Sequence, residues 1–212
     1  YEAYADGEDL VLQHDHKSHV FHTMRQQKVG SDFLSLSDFV AEKGSTKDYV
    51  GAFAVTAGLG LDAICAPYQA EGDDYAVLLI KVLADRLAEA FAEKLHETVR
   101  KELWGYAKDE SLTMEEILRG KYRGIRPAIG YPSLVDHTEK ADLFKLLDAT
   151  DATGMTLTES FMMVPAASVS GLYFAHPSSK YFDVYHVGKD QVEDYASRKG
   201  ITVTALERLI SS

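Results

Sequence analysis

Two arginines three residues apart, Arg123 and Arg126, run into Pro127 and then Gly130 and Tyr131 within YRGIRPAIGYP, Tyr122 to Pro132. An arginine presents a planar fork of N–H donors that matches a carboxylate or a phosphate. Small residues at Ala128 and Gly130 let the main chain approach a ligand, and Tyr131 offers a flat face with a polar tip. A helix does not continue through Pro127, because proline has no N–H to donate and clashes with the preceding turn. The segment is therefore predicted to be an ordered loop suited to a small ligand that carries a carboxylate and an aromatic base. Arg126 is the predicted grip and Arg123 its structural support. On these residues alone, a structural loop pinned by an arginine salt bridge is an equally good account.

Other chemistry-bearing residues point less far. GLGLDA, Gly58 to Ala63, has the loose form of a dinucleotide-binding turn, but a long helix rather than a second strand follows, so turn glycines are expected. His14, His16, His19 and His22 crowd one region without a helical metal-binding pair, and they are expected on an exposed hairpin. His137 and His176 sit where turn or capping roles suffice. SVSGLY and TESFMM lack the nucleophile elbow of serine hydrolases. The one cysteine, Cys65, excludes an intrachain disulfide, is expected in the core, and suits a reducing cytoplasm. With neither nucleophile nor acid–base pair in evidence, chemical work here would mean holding a substrate that is already reactive.

The chain has 212 residues, 46% hydrophobic and 26% charged, which fits one large domain or at most two. Its 33 acids against 22 bases give a formal net charge of -11, the wrong sign for a nucleic-acid partner. No apolar run approaches the roughly 20 residues of a membrane span. The expectation is a soluble, cytoplasmic protein with no membrane partner. Because the chain opens at Tyr1 in mid-flow, it is expected to be an N-terminally truncated fragment of a longer one.

The elements that must position the loop are predicted as follows. DLVLQH and SHVFHTM read as a hairpin, and DYVGAFAVTAG as a buried strand followed by a short helix in LGLDAICAPYQA. One long helix is predicted near residues 74–104, with Ile80, Leu83, Leu87, Phe91, Leu95, Val99 and Leu103 on its buried face. Arg86, Glu89, Glu93, Glu97 and Arg100 are assigned to its solvated face. TMEE and DHTE start two shorter helices, the second running to about Leu147. MTLTESFMMV, ASVSGLYFAH and YFDVYHV are strand candidates; KDQVEDYASRKG and TVTALERLI are the last helices, the first stopped by Gly200. Strands and helices segregate, so the fold class is α+β: a single domain with a mostly antiparallel sheet flanked by helices.

Seven blocks then carry a resemblance. DYVGAFAVTAG, LADRLAEAFAEKLHETVRKELWGY, RGIRPAIGYP, DHTEK, LTESF, ASVSGLYFAHPSSKYF and DQVEDYASRKG together resemble the C-terminal activation domain of cobalamin-dependent methionine synthase, from about Ser35 onward. The resemblance implies a curved domain around a twisted antiparallel sheet that binds S-adenosylmethionine. It implies a part in a methyltransferase whose cobalamin, held by a neighbouring domain, is restored from cob(II)alamin by that methyl group and an electron from flavodoxin or a flavoprotein reductase. The isolated domain is not expected to turn over alone.

The family's R-x-x-x-G-Y motif falls on Arg126, Gly130 and Tyr131, which implies that Arg126 holds the methionine carboxylate while Ala128, Gly130 and Tyr131 shape the pocket. Tyr181 and Phe182 match the family's aromatic block near the ligand, and Glu89 matches an acid near the ligand or the cobalamin-domain interface. The family's upstream aspartate, which helps to hold the ligand's amino group, has no counterpart in this chain. YPSLVDHTEK and FMMVPAAS vary the pocket edge. Two other readings compete: an interaction module that docks the cobalamin domain or flavodoxin without a ligand, and a dinucleotide-binding enzyme built on GLGLDA.

Overall fold

The computed structural model describes residues 1–185 and 187–210. Three strands open the chain: β1 (Glu2–Asp6), β2 (Asp9–His14) and β3 (Lys17–His22). The β2–β3 hairpin turns on Asp15 and His16, both left-handed with φ of 48° and 62°, as the twist-matched two-residue turn requires. With β4 (Asp48–Tyr49) they form an antiparallel sheet in the order β3-β2-β1-β4. The predicted hairpin is present; β1, too short and mixed to read from sequence, is an addition.

β5 (Gly51–Thr56) pairs antiparallel with β8 (Ser168–Tyr173), and the short strands β6 (Thr156–Leu157) and β7 (Met163–Val164) pair with each other. The expected strand MTLTESFMMV is thus a small hairpin, folded back at Phe161 with φ of 59°. YFDVYHV forms no strand over residues 181–185, and His186 lies outside the described residues. β5 has an antiparallel partner distant in sequence rather than a parallel neighbour reached through α1 (Leu61–Glu71), so GLGLDA does not open a βαβ unit. Gly60 there is a left-handed cap, φ 77°.

The helices follow local signals closely. α2 (Asp74–Thr98) is capped by Asp73, whose side chain accepts from the Ala76 N–H at 2.9 Å, and its last turn widens into a π-helical turn over Val99–Leu103. α3 (Met114–Leu118) starts in the capping box of Thr113 and Glu116. α4 (Glu139–Leu147), α5 (Ala149–Thr153), α6 (Lys189–Lys199) and α7 (Val203–Ile210) complete the set, with Gly200 ending α6 in the left-handed conformation. The main core joins Leu10, Leu12 and Phe21 of the four-stranded sheet to Leu172 of β8 and Leu143 of α4. The predicted α+β class with antiparallel sheets and flanking helices is the class observed.

The buried face of α2 differs from the prediction. Val77, Ala84, Ala88, Ala92 and His96 face inward, while Leu83, Leu87 and Phe91 are 54%, 62% and 49% exposed, and Leu103 beyond them is open as well. Alanines at four-residue steps let the helix axis come close to β5 and β8, so Leu83, Leu87 and Phe91 fall on the outer side, while Leu95 and Val99 pack inward as predicted. Arg100, assigned to solvent, is fully buried.

Candidate functional site

The arginine-bearing loop is an ordered rail along the edge of β8. Leu172 donates its N–H to the Pro127 carbonyl at 3.1 Å, Ile129 donates to Ser170 at 3.3 Å, and Ile125 and Phe174 exchange two bonds of 3.0 Å. This approach is possible because residue 171 is glycine: a Cβ there would stand 2.3 Å from the Pro127 oxygen and 2.9 Å from the Ala128 Cα. Gly130, at φ 91°, turns the chain away against the ring of His137.

Arg126 is fixed from several sides. Its guanidinium donates from Nη2 to Glu93 Oε2 at 2.7 Å and from Nη1 to the Tyr122 hydroxyl at 2.9 Å, and approaches His96 Nδ1 at 3.4 Å. Its main-chain N–H donates to the Tyr181 hydroxyl at 3.0 Å. Burial disfavours the charge of Arg126, but Tyr122, Tyr181 and Glu93 outweigh that and hold it cationic.

Beneath it lies a layer of rings and ions, fully buried at His96 and Arg100 and partly buried at Tyr106 and Tyr122. His96 stacks on Tyr173 with centroids 5.1 Å apart and meets Tyr122 edge-on at 5.0 Å. Burial, then the charges of Arg100 and Arg126, pull the imidazole down to about 2, so it is neutral. A neutral ring that accepts at Nδ1 from Arg126 donates from Nε2 to the Tyr106 hydroxyl, 3.3 Å away. Arg100 lies over Tyr122 at 4.2 Å and pairs with Glu110 through Nη2 at 2.7 Å. Burial raises the phenols of Tyr122 and Tyr173 and pushes that of Tyr106 up to about 12. The imidazole and the three phenols are thus all neutral around pH 7, and they orient Arg126 without exchanging protons.

Two cavities meet at Arg126. One, of about 290 Å³, is walled by Glu89, Ala128, Tyr131, Tyr181 and Phe182; the other, of about 450 Å³, lies between α2 and α3, beside Glu93, Met114 and Leu118. Six of the seven residues named from sequence, Glu89, Arg126, Ala128, Tyr131, Tyr181 and Phe182, therefore border one space. Gly130 is placed behind it, against His137. Tyr131 and Tyr181 are 63% and 51% exposed, open-faced rings at the rim. Glu89 pairs outward with Arg86 at 2.8 Å. Arg123 has the supporting role expected, bonded to the carbonyls of Ala175 and Tyr106.

Sequence reasoning missed Glu93, His96, Tyr122 and Tyr173. Glu93 was assigned to the solvated face of α2, yet it is only partly exposed and holds Arg126. The signal lay in the alanine stripe at 84, 88 and 92, because Glu89, Glu93, His96 and Arg100 continue along its border at steps of three and four.

The donor set suits the carboxylate of an amino acid, since Arg126 keeps N–H groups beyond those bound to protein, and aromatic faces stand beside it. Residues 1–200 match the family described as vitamin B12 dependent methionine synthase, activation domain. The chain is also similar to a crystal structure described as the MetH reactivation domain bound to AdoHcy, at 52% sequence identity and a TM-score of 0.94, over 100% of this chain and 67% of that one. The chain thus belongs to the activation-domain family of vitamin B12-dependent methionine synthases.

Proposed function

We propose that this chain binds S-adenosylmethionine beside Arg126 and presents its methyl group for the reductive remethylation of cob(II)alamin. The observation that carries the reading is a guanidinium held in place by Glu93, Tyr122 and its own rail, at the mouth of a cavity walled by Tyr131, Tyr181 and Phe182. Arg126 would take the methionine carboxylate, the tyrosine faces and Phe182 the adenosyl group, and Ala128 and Gly130 would leave room for the main chain to approach. Glu89, at the same cavity, would face the ligand or the docked cobalamin domain. The similarity to a protein described with bound AdoHcy supports the ligand class.

The ligand supplies a sulfonium methyl already activated for transfer, and cobalamin on a neighbouring domain supplies the nucleophilic metal. The residues of this chain contribute proximity and orientation, which agrees with a neutral His96 and a firmly cationic Arg126. The electron donor is proposed to be flavodoxin or a flavoprotein reductase, the partner the cobalamin-binding domain of the same enzyme, and the compartment the cytoplasm. No helix among the described residues is long and apolar enough to cross a membrane.

Titration calorimetry with S-adenosylhomocysteine tests the reading. Saturable binding is expected, and Arg126→Ala should weaken it about 10- to 100-fold, the scale of losing charge-assisted hydrogen bonds. Equal affinity in the variant would remove Arg126 from the ligand. A second reading, an interaction module without ligand, is favoured by the exposed apolar side of α2 and would give a flat titration in the unaltered protein.

A further inference from the structure

A third cavity, of about 250 Å³, shares Ala128, Tyr131 and Val169 with the one beside Arg126 but includes neither that arginine nor the tyrosine at 181. Its apolar walls include Met162, Met163 and Val169, and its polar side chains are those of Tyr131, His137, Lys140, Ser168 and Ser170, of which Ser168 is already bonded to Thr56 and to the Pro165 carbonyl. Lys140, in the first turn of α4, is 4% exposed, and its ammonium donates to His137 Nδ1 at 2.6 Å. The acids next to it in sequence are turned elsewhere: Asp136 pairs with Lys199 at 2.9 Å, and Glu139 pairs with the same lysine. Among the described residues no carboxylate lies within ion-pair distance of Lys140. Burial pulls the ammonium down to about 8, so at neutral pH it is still mostly charged. Ser170, 1% exposed on β8, has its hydroxyl buried without a hydrogen-bond partner.

A buried cation without a counter-charge and a buried hydroxyl without a partner are each costly arrangements, and both border one small cavity. A single anionic group would relieve them together. We infer that this cavity is a second binding site, for a small monocarboxylate with an apolar body, its oxygens accepting from Lys140 Nζ and from Ser170 Oγ. One cation matches one negative charge, whereas a phosphate dianion would leave charge uncompensated against methionine and valine. A volume of about 250 Å³ accommodates a short-chain acid.

Butyrate is the probe, with butyramide as its uncharged counterpart, read from the ¹³C-methyl NMR signals of Met162 and Met163. Butyrate is expected to shift both signals saturably and butyramide not at all. Lys140→Met should abolish the response, Ser170→Ala should weaken binding about 3- to 10-fold, and Arg126→Ala should leave it unchanged. Equal responses to butyrate and butyramide would overturn the assignment, as would a response that survives Lys140→Met. Loss in Arg126→Ala with retention in Lys140→Met would place the carboxylate on the arginine and likewise overturn it. Should Lys140→Met not fold, the butyramide comparison and Ser170→Ala decide the matter. S-adenosylhomocysteine binding is measured separately, so either proposal can fail alone.

Discussion

His96 is a histidine removed from the pH range in which histidines act. An exposed imidazole titrates near 6.5, whereas this one is held at about 2 by burial and by two arginines. The folded-state value is the lower one, so between about 2 and 6.5 the unfolded chain binds the extra proton. Stability is therefore complete above 6.5 and declines as the pH falls through that window. The acid limb of a urea-unfolding series should flatten between pH 6.5 and 4 in His96→Gln. An unchanged slope would mean that the imidazole is not held neutral by its surroundings. The same residue explains why the arginine site is only partly legible: Arg126 stands out in its own loop beside Tyr122, but Glu93 and His96, which help to aim it, lie about 30 residues away on α2 and look, in sequence, like part of an ordinary charged helix.

At the scale of elements, legibility followed the range of the signal. Caps are local: Thr113 with Glu116 and Gly200 each act where the sequence placed them. The orientation of α2 is not local. Of the predicted apolar stripe, Leu95 and Val99 do pack inward on β5 and β8, but Leu83, Leu87 and Phe91 face outward, because the alanine side of the helix is the one at close range. The pairing of the loop with β8 was equally hidden, since it depends on one glycine with an ordinary φ. Gly171→Ala would set a methyl group 2.3 Å from the Pro127 carbonyl. The rail must then move, at an expected cost of about 1–3 kcal/mol in chemical denaturation, and S-adenosylhomocysteine binding should weaken with it. Full stability together with unaltered binding would show that the rail does not set the position of Arg126.

For the molecule as a whole, the acidic balance and the segregated strands and helices were readable from the sequence, whereas the strand order was not. β5 and β8 are more than a hundred residues apart, a pairing that no turn or cap encodes. The outward stripe of α2 also belongs to this scale. From Tyr75 through Leu78, Leu79, Leu83 and Leu87 to Phe91, it lays exposed apolar side chains along about 24 Å of helix. Anilinonaphthalene sulfonate, a dye that fluoresces on apolar surface, should light up on the native protein. The signal should drop at least twofold in Leu83→Glu/Leu87→Glu, while near-ultraviolet circular dichroism stays the same; equal fluorescence from the two proteins would refute this. Such dye binding is ordinarily taken as the mark of a loosened, molten state. Here it would come from side chains that are fully ordered, so an optical screen for misfolded material would reject the native form.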